Sequence, residues 1–122
     1  MSMITAPISI GELFDKITIL ELKREHTQDP IKLANIDTEL ALLNNLARDI
    51  VVDTDQVARL KKVNHVIWLV EDQIRIKERN KDFDQAFVEL AREVYINNDL
   101  RAVIKREIND ATGSHIVEEK IY

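Results

Sequence analysis

The chain contains no cysteine, and only two glycines and two prolines among its 122 residues. Without cysteine there are no disulfides, thiolate metal sites or thiol nucleophiles, which fits a reducing compartment; a cytoplasmic protein is expected. The shortage of glycine and proline starves tight turns and β-hairpins, whose backbone angles depend on both. Acids outnumber bases, 22 Asp and Glu against 17 Lys and Arg, so the net charge is −5, and no long basic run occurs. The phosphate attraction that drives nucleic-acid binding is therefore missing, and no nucleic-acid partner is expected. No apolar run is long enough to cross a bilayer, and the first ten residues lack the basic start and apolar core of a signal peptide, so no membrane association is expected.

What is present suits helices. Hydrophobic residues make up 45% of the chain and charged residues 32%, a balance that predicts an all-α fold in one domain spanning residues 1–122. About five helices are expected. Ser9 with Glu12 reads as a capping box opening the first, after Pro7. Its seam of Ile10, Leu13, Ile17 and Leu20 is widened by Phe14, Ile19 and Leu22, so this helix is either central or shared with a partner. Asp29 and Pro30 start a second helix running to about Ile50, which forms an antiparallel hairpin with the first. Asp53, with Gln56 in the capping-box position, opens a long helix over about 53–80. At ~1.5 Å per residue it is about 40 Å long, more than the roughly 35 Å diameter of a compact globule of this size, so an elongated bundle is predicted. Asp82 and Gln85 mark a fourth start, with Phe83, Phe87, Leu90, Ala91 and Val94 as its buried face. Asn97 to Asp99 interrupt that pattern, and a fifth helix through Leu100, Ile104, Ile108 and Ala111 stops at Gly113.

The long helix holds the most informative pattern. Val57, Leu60, Asn64, Ile67, Glu71 and Ile74 follow at steps of three and four, which puts Asn64 and Glu71 where apolar side chains belong. Trp68, the only tryptophan, shares their patch. A buried polar group without a partner costs about 1–3 kcal/mol, so both residues need partners. Asp15 lines up with Ile19 and Leu22 on the first helix and is the best candidate for a buried carboxylate there. Asp15, Asn64, Trp68, Glu71 and Arg75 are therefore a candidate polar pocket, with the indole as a flat wall for a ligand. The competing reading is a register-fixing network between helices, which leads because ion-pair networks outnumber active sites among such residues.

Asn98, Arg101 and Lys105 form a second candidate. Two cations one turn apart, at the expected start of the fifth helix, would suit a small anionic ligand such as phosphate or carboxylate. The alternative is a solvated face on an acidic protein. His26, His65 and His115 show no i, i+4 spacing and none follows a glutamate by three residues, so neither a metal site nor a cofactor is expected. No histidine stands at a motif spacing from a serine, threonine or tyrosine, and nucleophilic catalysis has no support.

Several strings carry a resemblance: Pro7 to Lys23 (PISIGELFDKITILELK), Lys32 to Asn35 (KLAN), Asn64 to Trp68 (NHVIW), Glu71-Asp72, and Arg75 to Glu78 (RIKE). Asn98 to Ala102 (NDLRA), Lys105 to Asn109 (KREIN) and Val117 to Tyr122 (VEEKIY) extend it over nearly the whole chain. By these the chain resembles an uncharacterised bacterial and phage family known as a domain of unknown function, number 6165. That resemblance implies one domain and brings no activity. A weaker likeness is to the all-α nucleotide pyrophosphohydrolases, which hold magnesium on carboxylates from two helices. Glu12 and Asp15 supply an E-x-x-D pair and Glu71-Asp72 lies on a second helix, but the E-x-x-E partner is absent and adjacent acids point to different helix faces. A likeness of Ile36 to Leu43 and Arg48 to the first helix of all-α chorismate mutases is weaker again.

The leading expectation is a non-enzymatic helical interaction or scaffold protein acting as a homodimer, with the first and third helices forming the seam between chains. The alternative is a magnesium-dependent enzyme like the all-α pyrophosphohydrolases.

Overall fold

The computed structural model describes residues 2–122. Four helices occur among them: α1 (Ile10–Glu25), α2 (Pro30–Ala47), α3 (Thr54–Arg79) and α4 (Gln85–Thr112). The predicted all-α class holds, and the count falls by one because α4 runs straight through Asn97, Asn98 and Asp99. Asn and Asp disfavour a helix interior by only about 0.7 kcal/mol each, and no glycine or proline breaks the hydrogen-bond ladder there. The asparagine side chains are accommodated locally: Asn97 Nδ2 donates to the Glu93 carbonyl at 2.8 Å, and Asn98 Oδ1 accepts from Arg101 at 3.4 Å.

Most helix ends follow the expected local chemistry. Ser9 Oγ accepts from the Glu12 N–H, and Asp29 caps α2 with Pro30 in the first helical position. Gly113, at φ 66°, closes α4 in the left-handed conformation. Two capping boxes are only half built. The Glu12 carboxylate turns away from Ser9 toward Lys105, and Asp53 caps α3 through the Asp55 N–H while Gln56 Oε1 is buried without a partner. The start of α4 falls at Asp84, whose carboxylate accepts from the Phe87 N–H, rather than at Asp82.

Helix α1 is central: α2, α3 and α4 all pack against it. Leu13, Phe14 and Ile17 meet Leu60, Val63 and Ile67 of α3 and Ile104 and Ile108 of α4 in one buried cluster, against which Leu40, Leu43 and Ala47 of α2 are laid. The unusually wide apolar surface of α1 is thus covered within the chain. Helix α2 makes no close backbone approach to α3 or α4 among the described residues and has no buried residue. Leu42 and Leu46 remain half exposed.

The other end of the molecule is thin. From residue 71 to residue 103 no side chain is buried, so the C-terminal half of α3 and the N-terminal half of α4 project as a two-helix arm. Phe87, Leu90 and Val94, expected as a buried face, are only partly covered by α3, while Phe83 and Ala91 are exposed. At 26 and 28 residues, α3 and α4 are about 39 and 42 Å long, which gives the expected elongated shape.

The tightest helix approach lies between α1 and α4. The Gly11 N–H donates to Asn109 Oδ1 at 2.7 Å, and a methyl group at residue 11 would stand 2.5 Å from the Lys105 carbonyl oxygen. That oxygen is backbone and can yield only if α4 moves. Gly11→Ala is therefore expected to destabilise the fold by about 2 kcal/mol and lower the thermal midpoint by several degrees, read by circular dichroism. An unchanged midpoint would mean that α1 and α4 do not approach this closely.

Candidate functional site

The base of the bundle is built around one buried carboxylate. Asp15 is 1% exposed and lies on the face of α1 that meets both α3 and α4. Arg101 of α4 grips it with two bonds, Nε to Oδ1 at 2.9 Å and Nη2 to Oδ2 at 2.5 Å. Asn64 Nδ2 of α3 donates to Oδ1 at 2.9 Å and also to Thr18 Oγ1 at 2.9 Å. The Thr18 hydroxyl in turn donates to the Asp15 carbonyl at 2.8 Å. Lys105 Nζ stands 3.7 Å from Asp15 Oδ2 and donates to Glu12 Oε2 at 2.5 Å. Two acids and two cations thus neutralise one another across two helices, and Asn64 ties in the third.

Burial pushes the Asp15 carboxyl up, but the hydrogen bonds from Arg101 and Asn64 and the charges of Arg101 and Lys105 outweigh it and hold the group below its ordinary 3.8. The Arg101 guanidinium is pushed up, chiefly by its hydrogen bonds to Asp15. Every polar atom of the cluster that is buried has a partner. Fully paired polar groups between helices favour one register over others.

Of the five residues in the candidate polar pocket, the fold brings together Asp15 and Asn64 alone. Glu71 and Arg75 are exposed on the arm. The apolar seam of α3 runs through Leu60, Val63, Ile67 and Val70, drifting toward α4 and leaving Glu71 one step off the buried face. Trp68 faces elsewhere: its ring lies against His26 with centroids 4.6 Å apart, in a cleft between α1, α2 and α3. The residues that complete the buried cluster, Thr18, Glu12, Arg101 and Lys105, stand outside the pocket read from sequence. Thr18 was within reach, since it follows Asp15 by three on the same helix face.

Asn98, Arg101 and Lys105 do share a wall, with Lys120, around a cavity of about 310 Å³. Its cations are engaged: Arg101 by Asp15, Lys105 by Glu12, and Lys120 by Glu118 at 2.8 Å. The helix N-terminus on which the anion reading depended is absent, because these residues lie inside α4. The acid pair of the pyrophosphohydrolase likeness is occupied by the same cations, and no cluster of three or more potential metal ligands occurs among the described residues.

Two contrasting variants test the cluster. Asp15→Ala should cost about 3 kcal/mol, since it leaves Arg101 and Lys105 without their buried counter-charge, whereas Glu71→Leu should stay within about 0.5 kcal/mol in urea unfolding. The acid limb adds a second reading. A carboxyl depressed in the folded state contributes stability above its ordinary value of 3.8 and loses it as pH falls through the folded-state value. The wild type should therefore lose stability in that acid window by a component that Asp15→Asn lacks; parallel pH profiles would sink the assignment.

No helix among the described residues is long and apolar enough to cross a membrane. No curated protein and no solved structure matches the chain. A family model does, from residue 4 to residue 122, so the network, the arm and the cleft all lie within the matched span, and the chain belongs to the family of unknown function DUF6165.

Proposed function

We propose that the protein is a non-enzymatic helical interaction protein that self-associates through its projecting arm. The observation that carries this reading is the unburied stretch from 71 to 103, which holds half-exposed Ile76, Phe83, Val88, Tyr95, Ile96, Leu100 and Val103. Two antiparallel helices with solvent on both faces have little to hold them unless a further layer covers one side. Surface area points the same way. The accessible surface is 8613 Å² for 14.1 kDa, whereas a compact monomer of that mass exposes about 6,700 Å². The excess of roughly 1,900 Å² exceeds the ~800 Å² per partner of a stable interface.

The face turned away from α1 is the one best suited to a second copy. On α3, Val66, Leu69, Gln73 and Ile76 recur at steps of three and four, and Val66 lines one groove with Leu100 of α4. Asp72 and Arg79 flank this stripe on the same helix. In an antiparallel copy Asp72 of each chain would stand opposite Arg79 of the other, a pairing that a two-fold axis repeats on both sides. Two hairpins paired in this way make a four-helix bundle.

Sedimentation equilibrium at micromolar concentration is expected to give a dimer. A Leu69→Glu, Ile96→Glu variant should sediment as a monomer with unchanged helix content, because both side chains are half exposed in the single chain and a surface charge there costs little. A monomeric wild type overturns the reading.

A further inference from the structure

A second cavity lies away from both the buried cluster and the arm. It is an open cleft of about 500 Å³ between α1 and α2, closed at one side by α3, and its lining combines three kinds of group. Leu20 and Ile36 make an apolar floor. Trp68 and His26 stack on one another along one side, with ring centroids 4.6 Å apart and planes inclined by 32°. Lys23, Lys32, Asn35 and Glu39 make a polar rim. The volume falls within the range of small-molecule sites, and an apolar floor with a few convergent polar groups is their usual composition.

Several lysines of this molecule pair with acids, as Lys61 does with Glu21 and Glu25 and Lys77 with Asp82 and Asp84; the two at the rim do not. Among the described residues neither Lys23 nor Lys32 has an acidic partner within 4.0 Å, and Glu39 has no basic one. His26 Nδ1 is bonded to the Leu22 carbonyl at 2.7 Å. A carbonyl can only accept, so Nδ1 carries the proton and Nε2 is the ring atom left for another partner. Two uncommitted cations, an aromatic wall and a free ring nitrogen converge on one cleft.

We infer that this cleft binds a small molecule composed of a planar ring and one anionic group, the ring lying along Trp68 and His26 over Leu20 and Ile36, and the anion held by Lys23 and Lys32. Stacking on the wall and charge pairing at the rim act together, because each alone is weak on an open surface. Asn35 and Glu39 offer a donor and an acceptor to polar edges of the ring. A phosphate and a carboxylate both meet the requirement at the rim.

Trp68 is the only tryptophan, so its emission reports on this cleft alone. The full chain is titrated with adenosine monophosphate and with benzoate, and separately with adenosine and with inorganic phosphate. At least one of the first two should change the emission saturably with a dissociation constant below ~1 mM, and which of them does so distinguishes phosphate from carboxylate. Adenosine and phosphate should each bind at least about tenfold more weakly than the compound that joins ring and anion. A Lys23→Gln, Lys32→Gln variant, changed only at exposed positions, should keep its fold and lose about tenfold in affinity. The inference is overturned if neither compound gives saturable binding, if phosphate or adenosine alone binds as well, or if the double variant binds as tightly as the wild type.

Discussion

The bidentate grip of Arg101 on Asp15 is the contact on which the rest of the arrangement depends. A carboxylate placed in the middle of an apolar cluster is stable as an ion only if its desolvation is offset by hydrogen bonds from fixed directions. Arg101 supplies two from α4 and Asn64 one from α3. These directions cannot be satisfied in another register: a slip of one residue in α4 would put Leu100 or Ala102 against the carboxylate in place of Arg101, and a slip in α3 would take Asn64 away from it. The Gly11–Asn109 contact fixes the same two helices one turn away, where the missing side chain lets the α1 backbone come within hydrogen-bond reach of α4. Apolar burial makes the base of the bundle stable, and the polar cluster makes it unique.

That clamp also divides the molecule. Beyond Val70 and before Ile104 no residue is buried, and the chain continues there as two helices with nothing laid over them. The connection between them is held locally rather than by a core. Lys77 bridges Asp82 and Asp84, and Lys81 adopts a left-handed conformation at φ 53° so that the chain can reverse. Such a reversal favours glycine, and a lysine there marks a turn held by its flanking hydrogen bonds. The arm is therefore a defined element that still lacks a partner layer. Its remaining apolar side chains and interleaved charges are the groups such a layer would use.

The three features occupy different parts of the same α1-centred frame. The buried cluster lies where α1, α3 and α4 meet, the cleft where α1 and α2 part at their shared turn, and the arm where α3 and α4 outrun α1. None of the three needs the chemistry of another. The cations of the cluster are paired with its acids, whereas the cleft lysines have no acidic partner; pairing separates a residue that holds the fold from one available to a second molecule.

Whatever depends on a few neighbouring residues was readable from the chain. Ser9, Asp29, Asp53 and Gly113 mark helix ends because capping involves groups within one turn, and the spacing of Leu60, Asn64 and Ile67 reveals the buried face of α3 for the same reason. The absence of cysteine and the shortage of glycine and proline already implied helices. Other outcomes turned on what lies opposite. Asn97 to Asp99 read as a break, yet the helix persists because a propensity penalty of about 0.7 kcal/mol per residue is small beside an unbroken ladder and the anchoring of Arg101 and Ile104 to α1. Glu71 read as a seam residue, but the α3 seam turns toward α4 after Ile67 and leaves it in solvent. Asp15 and Arg101 were each singled out, for different sites, and only the packing of α4 on α1 made them partners. The 3.6-residue period tells which side chains share a face; which helix that face meets is decided by the packing of all four.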